Sequence, residues 1–430
     1  MDEFGIMEST YDIPAMSTDE LRETVFRPSR FAKDVRIGRF NRLRITKISA
    51  PANLYVMAAK LLPGGRWLVS LEGDALSGVR RLRVYDMSLK CNEIHAVGDI
   101  VVNVSWATCY MEVRPQTPVG AQSGALIFLH QWISDTDEVG KLQVFSFEAE
   151  RGSRPSLVLH KEQLTAVDLY DPDTWSRSTG STLVCKRFNR LLIWYWREGE
   201  WAWISLNGDM NNFLPIALHS DVLLLIDEDA RQVVSLNLRG LARRAGVIED
   251  PQQGVPRSCP VATTRLEIPG VAGLRRTHEP ATTGQSWLTG TQCWALRYPG
   301  ITVFVDVEFP ADDDAKVSFH RYPGKFDKDS YYWSEGRHRY EFCTAETEHH
   351  LVTLFAKGRL EVLGISDQGQ TLEDAQLLPP SDIPSHGVPG RVFACAISGI
   401  IGLAWGEDGF FLWTYGGQRY PGEVRLLSLT

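Results

Sequence analysis

Pairs of short segments with alternating apolar residues recur along the whole chain and constrain its fold more than any other feature. In the first pair, Trp67, Val69 and Leu71 lie two positions apart, and Leu82 and Val84 repeat that spacing after a polar turn. A spacing of two places side chains on the same face of a β-strand, so each segment is predicted to be a strand with one buried face. The pair is therefore predicted to form a β-hairpin.

Six further pairs follow the first, at residues 125–147, 181–196, 221–238, 292–307, 350–365 and 400–415. Seven hairpins in one chain indicate a β-unit that repeats around an axis or in layers. Repeats of ~40–45 residues, each with four strands, would contain the hairpins and the strand-like segments between them. We predict an all-β fold, a seven-bladed β-propeller over residues 41–430, with a short helical arm at the N-terminus.

The predicted propeller carries two structural expectations. Propellers usually avoid a free sheet edge by pairing an N-terminal strand with strands near the C-terminus. Either Arg44–Ile48 or Leu54–Leu62 should therefore share a blade with Phe410–Tyr415, with Glu423–Leu429 alongside. The residues expected to be buried in the hairpins are Val69, Val84, Ile127, Val144, Leu192, Leu224, Val303, Leu354, Val362, Leu403 and Leu412.

The N-terminal segment divides into a polar stretch, residues 1–16, which is expected to be disordered, and a helical, basic arm, residues 17–40. Ser17 and Glu20 have the spacing of a capping box, in which each side chain binds the backbone N–H group of the other residue. Because proline disrupts helix interiors, Pro28 is expected to end a helix of about ten residues.

Five residues of the arm are candidate partner-binding residues: Leu21, Val25, Phe26, Arg27 and Arg30. A solvated linker is the simpler interpretation of the arginines, and a contact surface for an acidic partner is the alternative. We expect the three apolar side chains to dock on the propeller while the arginines face solvent. If the apolar side chains are exposed instead, they are free to bind a protein partner.

The bulk composition argues against several classes of protein. The formal net charge is -8, whereas nucleic-acid-binding proteins usually carry a surplus of positive charge. The seven cysteines are scattered and never form C-x-x-C, which favours a reducing compartment, either cytoplasm or nucleus. The chain begins without the apolar segment of a signal peptide, and its longest apolar run is too short to span a bilayer. We expect a soluble monomer that binds neither nucleic acid nor membrane.

No sequence motif predicts catalysis, a cofactor or a metal site. The adjacent His349 and His350 would point to opposite faces of a strand. The chain lacks the glycine patterns of nucleotide-binding loops. A propeller hydrolase or lyase remains the alternative, because such enzymes can assemble an active site at the mouth of the central channel. Asp86 and Asp306, near the ends of predicted strands, would be its candidate residues.

Four tryptophans form two W-x-W pairs, Trp194 with Trp196 and Trp201 with Trp203. At a spacing of two, both members of a pair lie on the same face of a strand and can bury ~150–250 Å² each against neighbouring strands. Packing is therefore the preferred interpretation. A carbohydrate-binding propeller, or an aromatic cage for methyl-lysine, would use the same residue type and stays the further alternative.

One stretch resembles a known family. Leu61–Val69 (LLPGGRWLV), followed by Leu82–Asp86 (LRVYD), resembles the LLPGGRWL…LxxWDL signature of a large group of F-box proteins from mushroom-forming fungi. Residues 17–34 resemble the segment that follows the F-box in that family. The resemblance implies a divergent propeller that acts as a protein-interaction module without catalysis. It further implies a substrate receptor of a cullin-type ubiquitin ligase, joined to an adaptor through the F-box.

The chain departs from that family in two respects. It contains no L-P-x-E-hydrophobic opening of an F-box, and both a truncated gene product and a stand-alone propeller would explain this. We therefore expect no measurable binding of the ligase adaptor by this chain alone. Tyr85–Asp86 stands where WD-repeat proteins carry Trp-Asp, but the later hairpins lack the aspartate, so the hydrogen-bond network of WD repeats is not predicted.

Overall fold

The computed structural model describes one helix, thirty strands and the turns beside many of them. The residues described are 16–36, 43–49, 54–62, 66–74, 76–87, 96–102, 109–115, 124–132, 140–149, 154–166, 176–178, 181–187, 190–205, 213–219, 221–227, 231–249, 262–272, 281–285, 292–298, 301–308, 316–323, 338–343, 349–356, 359–366, 375–377, 391–395, 400–405, 409–415 and 425–428. Side chains are described for part of this set.

The helix, α1, comprises Thr18–Arg36. The strands are β1 (Leu43–Ser49), β2 (Leu54–Leu61), β3 (Trp67–Asp74), β4 (Arg80–Asp86), β5 (Ala96–Val102), β6 (Cys109–Pro115), β7 (Gly124–Trp132), β8 (Gly140–Glu148), β9 (Ser156–Thr165), β10 (Ser176–Ser178), β11 (Thr182–Arg187), β12 (Arg190–Tyr195), β13 (Glu200–Ser205), β14 (Phe213–His219), β15 (Val222–Asp227), β16 (Gln232–Asn237), β17 (Arg244–Ala245), β18 (Ala262–Glu267), β19 (Ala281–Gln285), β20 (Gln292–Tyr298), β21 (Ile301–Glu308), β22 (Lys316–Pro323), β23 (His338–Cys343), β24 (His349–Ala356), β25 (Arg359–Ser366), β26 (Ala375–Leu377), β27 (Arg391–Cys395), β28 (Ile400–Trp405), β29 (Gly409–Tyr415) and β30 (Arg425–Ser428).

The strands form seven sheets of four or five strands, which are the blades of a propeller. Blades one and two contain β2–β5 and β6–β9, blade three β10–β13 with β17, and blade four β14–β16 with β18. Blades five and six contain β19–β22 and β23–β26, and blade seven contains β27, β28, β29, β1 and β30 in that order. Each predicted hairpin lies in the interior of a different blade, so the predicted all-β, seven-bladed propeller is confirmed.

The burial predicted for the hairpins is confirmed wherever the side chains are described. The buried residues are Val69, Val84, Ile127, Val144, Leu192, Leu224 and Val303. The remaining four, Leu354, Val362, Leu403 and Leu412, lie in strands whose side chains are outside the described set. The period-two patterning of the sequence therefore identifies the faces that pack between blades.

The blades close into a ring. Their first strands neighbour one another at the centre, for example β2 with β6 and, across the junction between the chain ends, β2 with β27. In blade seven, β1 pairs antiparallel with β29 and parallel with β30. The two ends of the chain therefore pair in one sheet, and the prediction that Arg44–Ile48 shares a blade with Phe410–Tyr415 is confirmed. The other candidate for this role, Leu54–Leu61, is instead the first strand of blade one.

The core lies in layers between neighbouring blades. Leu71, Leu82 and Val84 of blade one pack against Ile127 and Phe145 of blade two in one buried cluster. Trp67 meets Phe147 across the same interface, with ring centroids 5.3 Å apart in an edge-to-face arrangement. Similar clusters join blades two to three, three to four and four to five. Each blade is consequently stabilised mainly by its neighbours.

The expectation that Pro28 ends the helix is wrong, because α1 continues to Arg36. Two contacts span the turn that contains the proline. Glu23 forms an ion pair with Arg30 at 2.6 Å, and the Arg30 guanidinium lies 5.8 Å from the centre of the Phe26 ring. These contacts join the two halves of the helix on one side.

The segment that follows β16 runs along a defined path over two neighbouring blades. We name residues 239–249 the strap. It leaves blade four after β16, adds β17 to the outer edge of β13 in blade three, and reaches blade two, where Ile248 bridges to Thr165. Ile248 is fully buried in the cluster between blades two and three. This apolar anchor explains why the segment follows a defined path.

Candidate functional site

The start of α1 is fixed by the capping box that the sequence predicts. The Ser17 backbone N–H donates to Glu20 Oε2 at 2.9 Å, and the Glu20 N–H donates to Ser17 Oγ at 3.3 Å. The Leu21 N–H donates to the Ser17 carbonyl at 2.9 Å, which closes the first helical turn. Asp19 and Glu20 in this turn also place negative charge at the positive end of the helix dipole.

One side of α1 is exposed and mixes apolar and basic residues. Val25 and Phe26 are 65% and 50% exposed, although both are apolar. Arg22 and Arg30, one turn before and one turn after Phe26, are exposed as well. Residues four apart share a helix face, so Phe26 lies between two arginines. We name Arg22, Val25, Phe26 and Arg30 the helix surface.

The expected docking of the apolar side chains on the propeller is wrong for two of the three. Leu21 is partly buried, and α1 lies beside β25 of blade six. Val25 and Phe26, however, remain exposed. The Arg27 side chain lies outside the described set.

The two aspartates of the enzyme alternative lie on different blades. Asp86 ends β4 in blade one, where its carboxylate accepts hydrogen bonds from Arg66, with a closest distance of 2.9 Å. The Arg66 guanidinium also lies 4.4 Å from the centre of the Trp67 ring. Asp306 lies in β21 of blade five, and its side chain is not described. Among the described residues, Asp86 therefore holds Arg66 beside the start of β3.

The four tryptophans of the W-x-W pairs are buried, as the packing interpretation predicts. Trp194 and Trp201 face each other across β12 and β13, and Trp203 lies opposite Leu192. All four belong to the apolar cluster between blades two and three. These side chains are therefore not available to form an exposed carbohydrate-binding or methyl-lysine-binding surface.

Blade one contains a buried polar cluster that the sequence analysis missed. Glu72, 1% exposed, accepts hydrogen bonds from the Tyr85 hydroxyl at 2.7 Å and from Arg83 at 2.9 Å. Ser70 donates to the same carboxylate. Burial, followed by the charge of Glu72, raises the pKa of the Tyr85 phenol. The carboxylate thus satisfies several buried donors at once.

The polar cluster extends to the surface through Asp99. Arg83 lies 3.3 Å and Arg81 3.0 Å from this carboxylate. Burial disfavours the charged form of Arg83, but the neighbouring Tyr85, Glu72 and Asp99 side chains outweigh burial and raise its pKa. The signal in the sequence was the alternation of Arg81, Arg83 and Tyr85 with Leu82 and Val84, which marks a polar face on β4.

The described residues contain no group of three or more histidine, cysteine, aspartate or glutamate side chains placed to hold a metal ion. In the same part of the chain, no helix is both long and apolar enough to cross a membrane.

Comparison with known proteins finds similar solved structures but no matching family. No protein-family model and no curated protein matches the sequence. The β-propeller domain of Nup133 from Vanderwaltozyma polyspora is 9% identical, and the match covers 87% of this chain and 98% of that domain with a TM-score of 0.42. The C-terminal WD40 domain of Sif2 is 8% identical over 86% of this chain and 99% of its own, also with a TM-score of 0.42.

A third solved structure, the uncharacterized protein lmo1340 from Listeria monocytogenes EGD-e, is 7% identical. The match covers 84% of this chain and 92% of that protein, with a TM-score of 0.46. At these identities and TM-scores the matches assign no function to this chain. The chain is a seven-bladed β-propeller by its own strand pairing.

Proposed function

We propose that this chain is a protein-interaction module in which the helix surface binds a protein partner. The observation that carries the proposal is the exposure of Val25 and Phe26 on a helix that lies beside the propeller. A helix of this kind can place its apolar side chains in a groove of another protein. We propose no catalytic role for the chain.

The spacing of the helix surface fits that mode of recognition. Arg22, Val25 and Phe26 occupy positions i, i+3 and i+4, and Arg30 follows at i+8. Helices bound in grooves use the same spacing for their anchor residues. Burying the Val25 and Phe26 side chains would contribute ~1.5–3 kcal/mol each before the costs of association.

The arginines define the chemistry of the partner. Arg22 and Arg30 flank the Phe26 side chain, and Arg30 remains 43% exposed although it contacts Glu23. Guanidinium groups bind carboxylates through two parallel hydrogen bonds. The partner proposed is therefore a protein with an apolar groove bordered by aspartate or glutamate side chains.

The family resemblance suggests a more specific proposal, that the chain is a substrate receptor of a cullin-type ubiquitin ligase. It is supported by the LLPGGRWLV stretch, in which the Arg66 guanidinium lies over the ring of the buried Trp67. Because the sequence shows no F-box opening, we propose that this chain alone does not bind the ligase adaptor. Sub-micromolar binding of purified adaptor in a titration would overturn that proposal and favour the receptor function.

The test compares variants of the full chain in affinity purification from the native cell, followed by titration with the purified partner. The double variant V25S/F26S should weaken partner binding at least tenfold, since a loss of about 1.4 kcal/mol is tenfold in affinity. Leu76→Ser, which changes a 79% exposed leucine in a turn of blade one, is the matched control and should bind normally. Equal binding by both variants would contradict the proposed role of α1.

A further inference from the structure

The strap follows a path that its own blade does not require. It emerges from β16, and the chain later returns to β18, which pairs antiparallel with β16 in blade four. Neighbouring antiparallel strands are commonly joined by loops of two to five residues. The chain instead crosses blade three and reaches blade two before it returns. The length of this connection is therefore explained by its contacts with blades three and two.

The first half of the strap binds blade three through two arginines. The Arg243 guanidinium lies 3.7 Å from the centre of the Tyr195 ring and 3.4 Å from the Glu200 carboxylate. Arg244 pairs with Trp201 through the backbone, and its guanidinium lies 5.9 Å from the centre of the Trp201 ring. An aromatic surface with a carboxylate at its border is suited to arginine.

The second half of the strap is held by side chains that bind its backbone. Trp201 Nε1 and Gln163 Nε2 both donate to the Gly246 carbonyl, at 3.2 Å and 2.8 Å. Trp203 Nε1 donates to the Glu249 carbonyl at 3.0 Å. Contacts of this kind recognise an extended backbone without depending on the side chains that it carries.

Ile248 is the apolar anchor of the strap. Its backbone N–H donates to the Leu164 carbonyl at 3.2 Å, and its carbonyl accepts from the Ala166 N–H at 2.9 Å. This parallel bridge adds one residue to the outer edge of β9, while the Ile248 side chain enters the cluster between blades two and three. Addition of an extended segment to a sheet edge is a common mode of peptide recognition.

We propose that the surface under the strap is a peptide-binding site, occupied in this structure by the chain's own strap. We name it the strap site, formed by Gln163, Thr165, Tyr195, Glu200, Trp201 and Trp203. Its ligand is a peptide with two adjacent arginines, a glycine two residues after the second arginine and a branched aliphatic residue four residues after it. The strap itself provides this pattern in Arg243, Arg244, Gly246 and Ile248.

The strap has the features of a segment that can leave its site. Gly240 and Gly246 adopt positive φ angles of 77° and 90°, which side chains rarely tolerate, and they permit sharp changes of direction on either side of the arginines. Both arginines are partly exposed, so a competing basic peptide can reach the carboxylate and the rings beneath them. A partner peptide of the same pattern would displace the strap.

The experiment uses a fluorescein-labelled synthetic peptide of residues 239–250 as the probe. The full chain carrying R243A/I248A, with its strap weakened, should bind this peptide at least tenfold more tightly than the unsubstituted chain, whose site is filled. A peptide with the same two substitutions should bind the variant at least tenfold more weakly than the natural peptide. Circular dichroism and the unfolding midpoint establish that the variant is folded.

A second measurement needs no variant. An excess of the natural peptide added to the unsubstituted chain should speed hydrogen exchange at the strap's own Ile248 amide, which loses its partner, whereas the substituted peptide should not. Failure of the folded variant to bind, or unchanged exchange in the unsubstituted chain, would show that the strap is a permanent part of the fold. Dimers formed by exchange of straps between two copies would also overturn the proposal.

Discussion

Ile45 of β1 lies opposite Trp413 of β29 in an antiparallel ladder. On its other side β1 pairs in parallel with β30, where Lys47 lies opposite Leu426. The N-terminal strand therefore occupies the interior of a sheet built from the C-terminal end of the chain. This strand therefore links the last blade to the first, because the chain continues from β1 in blade seven to β2 in blade one.

The first prediction tests the closure with the substitution Ile45→Pro. Proline cannot donate a backbone hydrogen bond, so it interrupts a ladder in which β1 has partners on both sides. Each buried group left unpaired should cost about 1–3 kcal/mol of unfolding free energy. Calorimetry should show a lower unfolding midpoint for the whole propeller. Ile45→Val, which keeps the N–H group and a β-branched side chain, is the control; equal midpoints for both variants would contradict closure by β1.

The hairpins and the closure could be predicted from the sequence because both follow from a local signal. Leu82 and Val84, for example, alternate with Arg81 and Arg83, and period-two alternation specifies which face of a strand is buried. The closure then follows from the cost of an open sheet edge. Neither inference needs knowledge of distant contacts.

The strap and the full length of α1 could not be predicted, because both depend on distant or competing contacts. The sequence around Ile248 has no period, and its path depends on distant partners, among them the tryptophan N–H groups of blade three and the edge of blade two. At Pro28, local propensity favours ending the helix, yet the pairing of Glu23 with Arg30 spans that position. The polar cluster around Glu72 likewise needs three strands to come together.

The second prediction concerns the buried ion pair of Glu72 and Arg83 in blade one. Arg83→Met would leave the Glu72 carboxylate buried without its charged partner, which typically costs about 3–5 kcal/mol. The double variant E72Q/R83M should be more stable than R83M alone. The unpaired charge is then gone, while the amide oxygen introduced at position 72 can still accept a hydrogen bond from Tyr85. Urea denaturation of the unsubstituted chain and the two variants measures this difference.

Arg81 supplies the matched control for the ion-pair experiment. It contacts Asp99 at 3.0 Å, but both side chains are more than one-third exposed. Exposed pairs of this kind contribute roughly 0–1 kcal/mol. Arg81→Met should therefore lower stability by no more than that amount. A loss from R81M as large as that from R83M, or a double variant less stable than R83M, would contradict a dominant role for the buried charge.

The third prediction concerns pH and His130 in β7 of blade two. This side chain is buried, its Nε2 atom has no hydrogen-bond partner among the described residues, and burial lowers its pKa from 6.5 to about 4. Below pH 6.5 the unfolded chain binds a proton at this residue that the folded chain excludes. The stability associated with neutral His130 is thus complete above pH 6.5 and is lost as the pH falls toward 4, by about 1.4 kcal/mol per pH unit.

His130→Phe should remove this part of the pH dependence. Urea denaturation at intervals between pH 7 and pH 4 should give a shallower decline in unfolding free energy for the variant than for the unsubstituted chain. Val144→Ala, in the adjoining cluster between blades two and three, should lower stability by a similar amount at every pH. Parallel curves for the unsubstituted chain and the His130 variant would show that the histidine does not titrate as inferred.

The last prediction concerns the proline inside α1. Pro28 cannot donate the hydrogen bond that a helix requires from residue 28 to the Thr24 carbonyl, and a proline in a helix interior costs ~3 kcal/mol relative to alanine. Pro28→Ala should therefore slow hydrogen exchange throughout residues 18–36, with no change in the blades.

Ser29→Ala, at the next position, is the control for the proline variant. It should slow hydrogen exchange in α1 much less, because the difference in helix propensity between serine and alanine is only a few tenths of a kcal/mol. If α1 binds its partner as a helix, Pro28→Ala should also tighten that complex, since less conformational entropy is lost on binding. Unchanged exchange in the Pro28→Ala variant would mean that the helix is not continuous across this position.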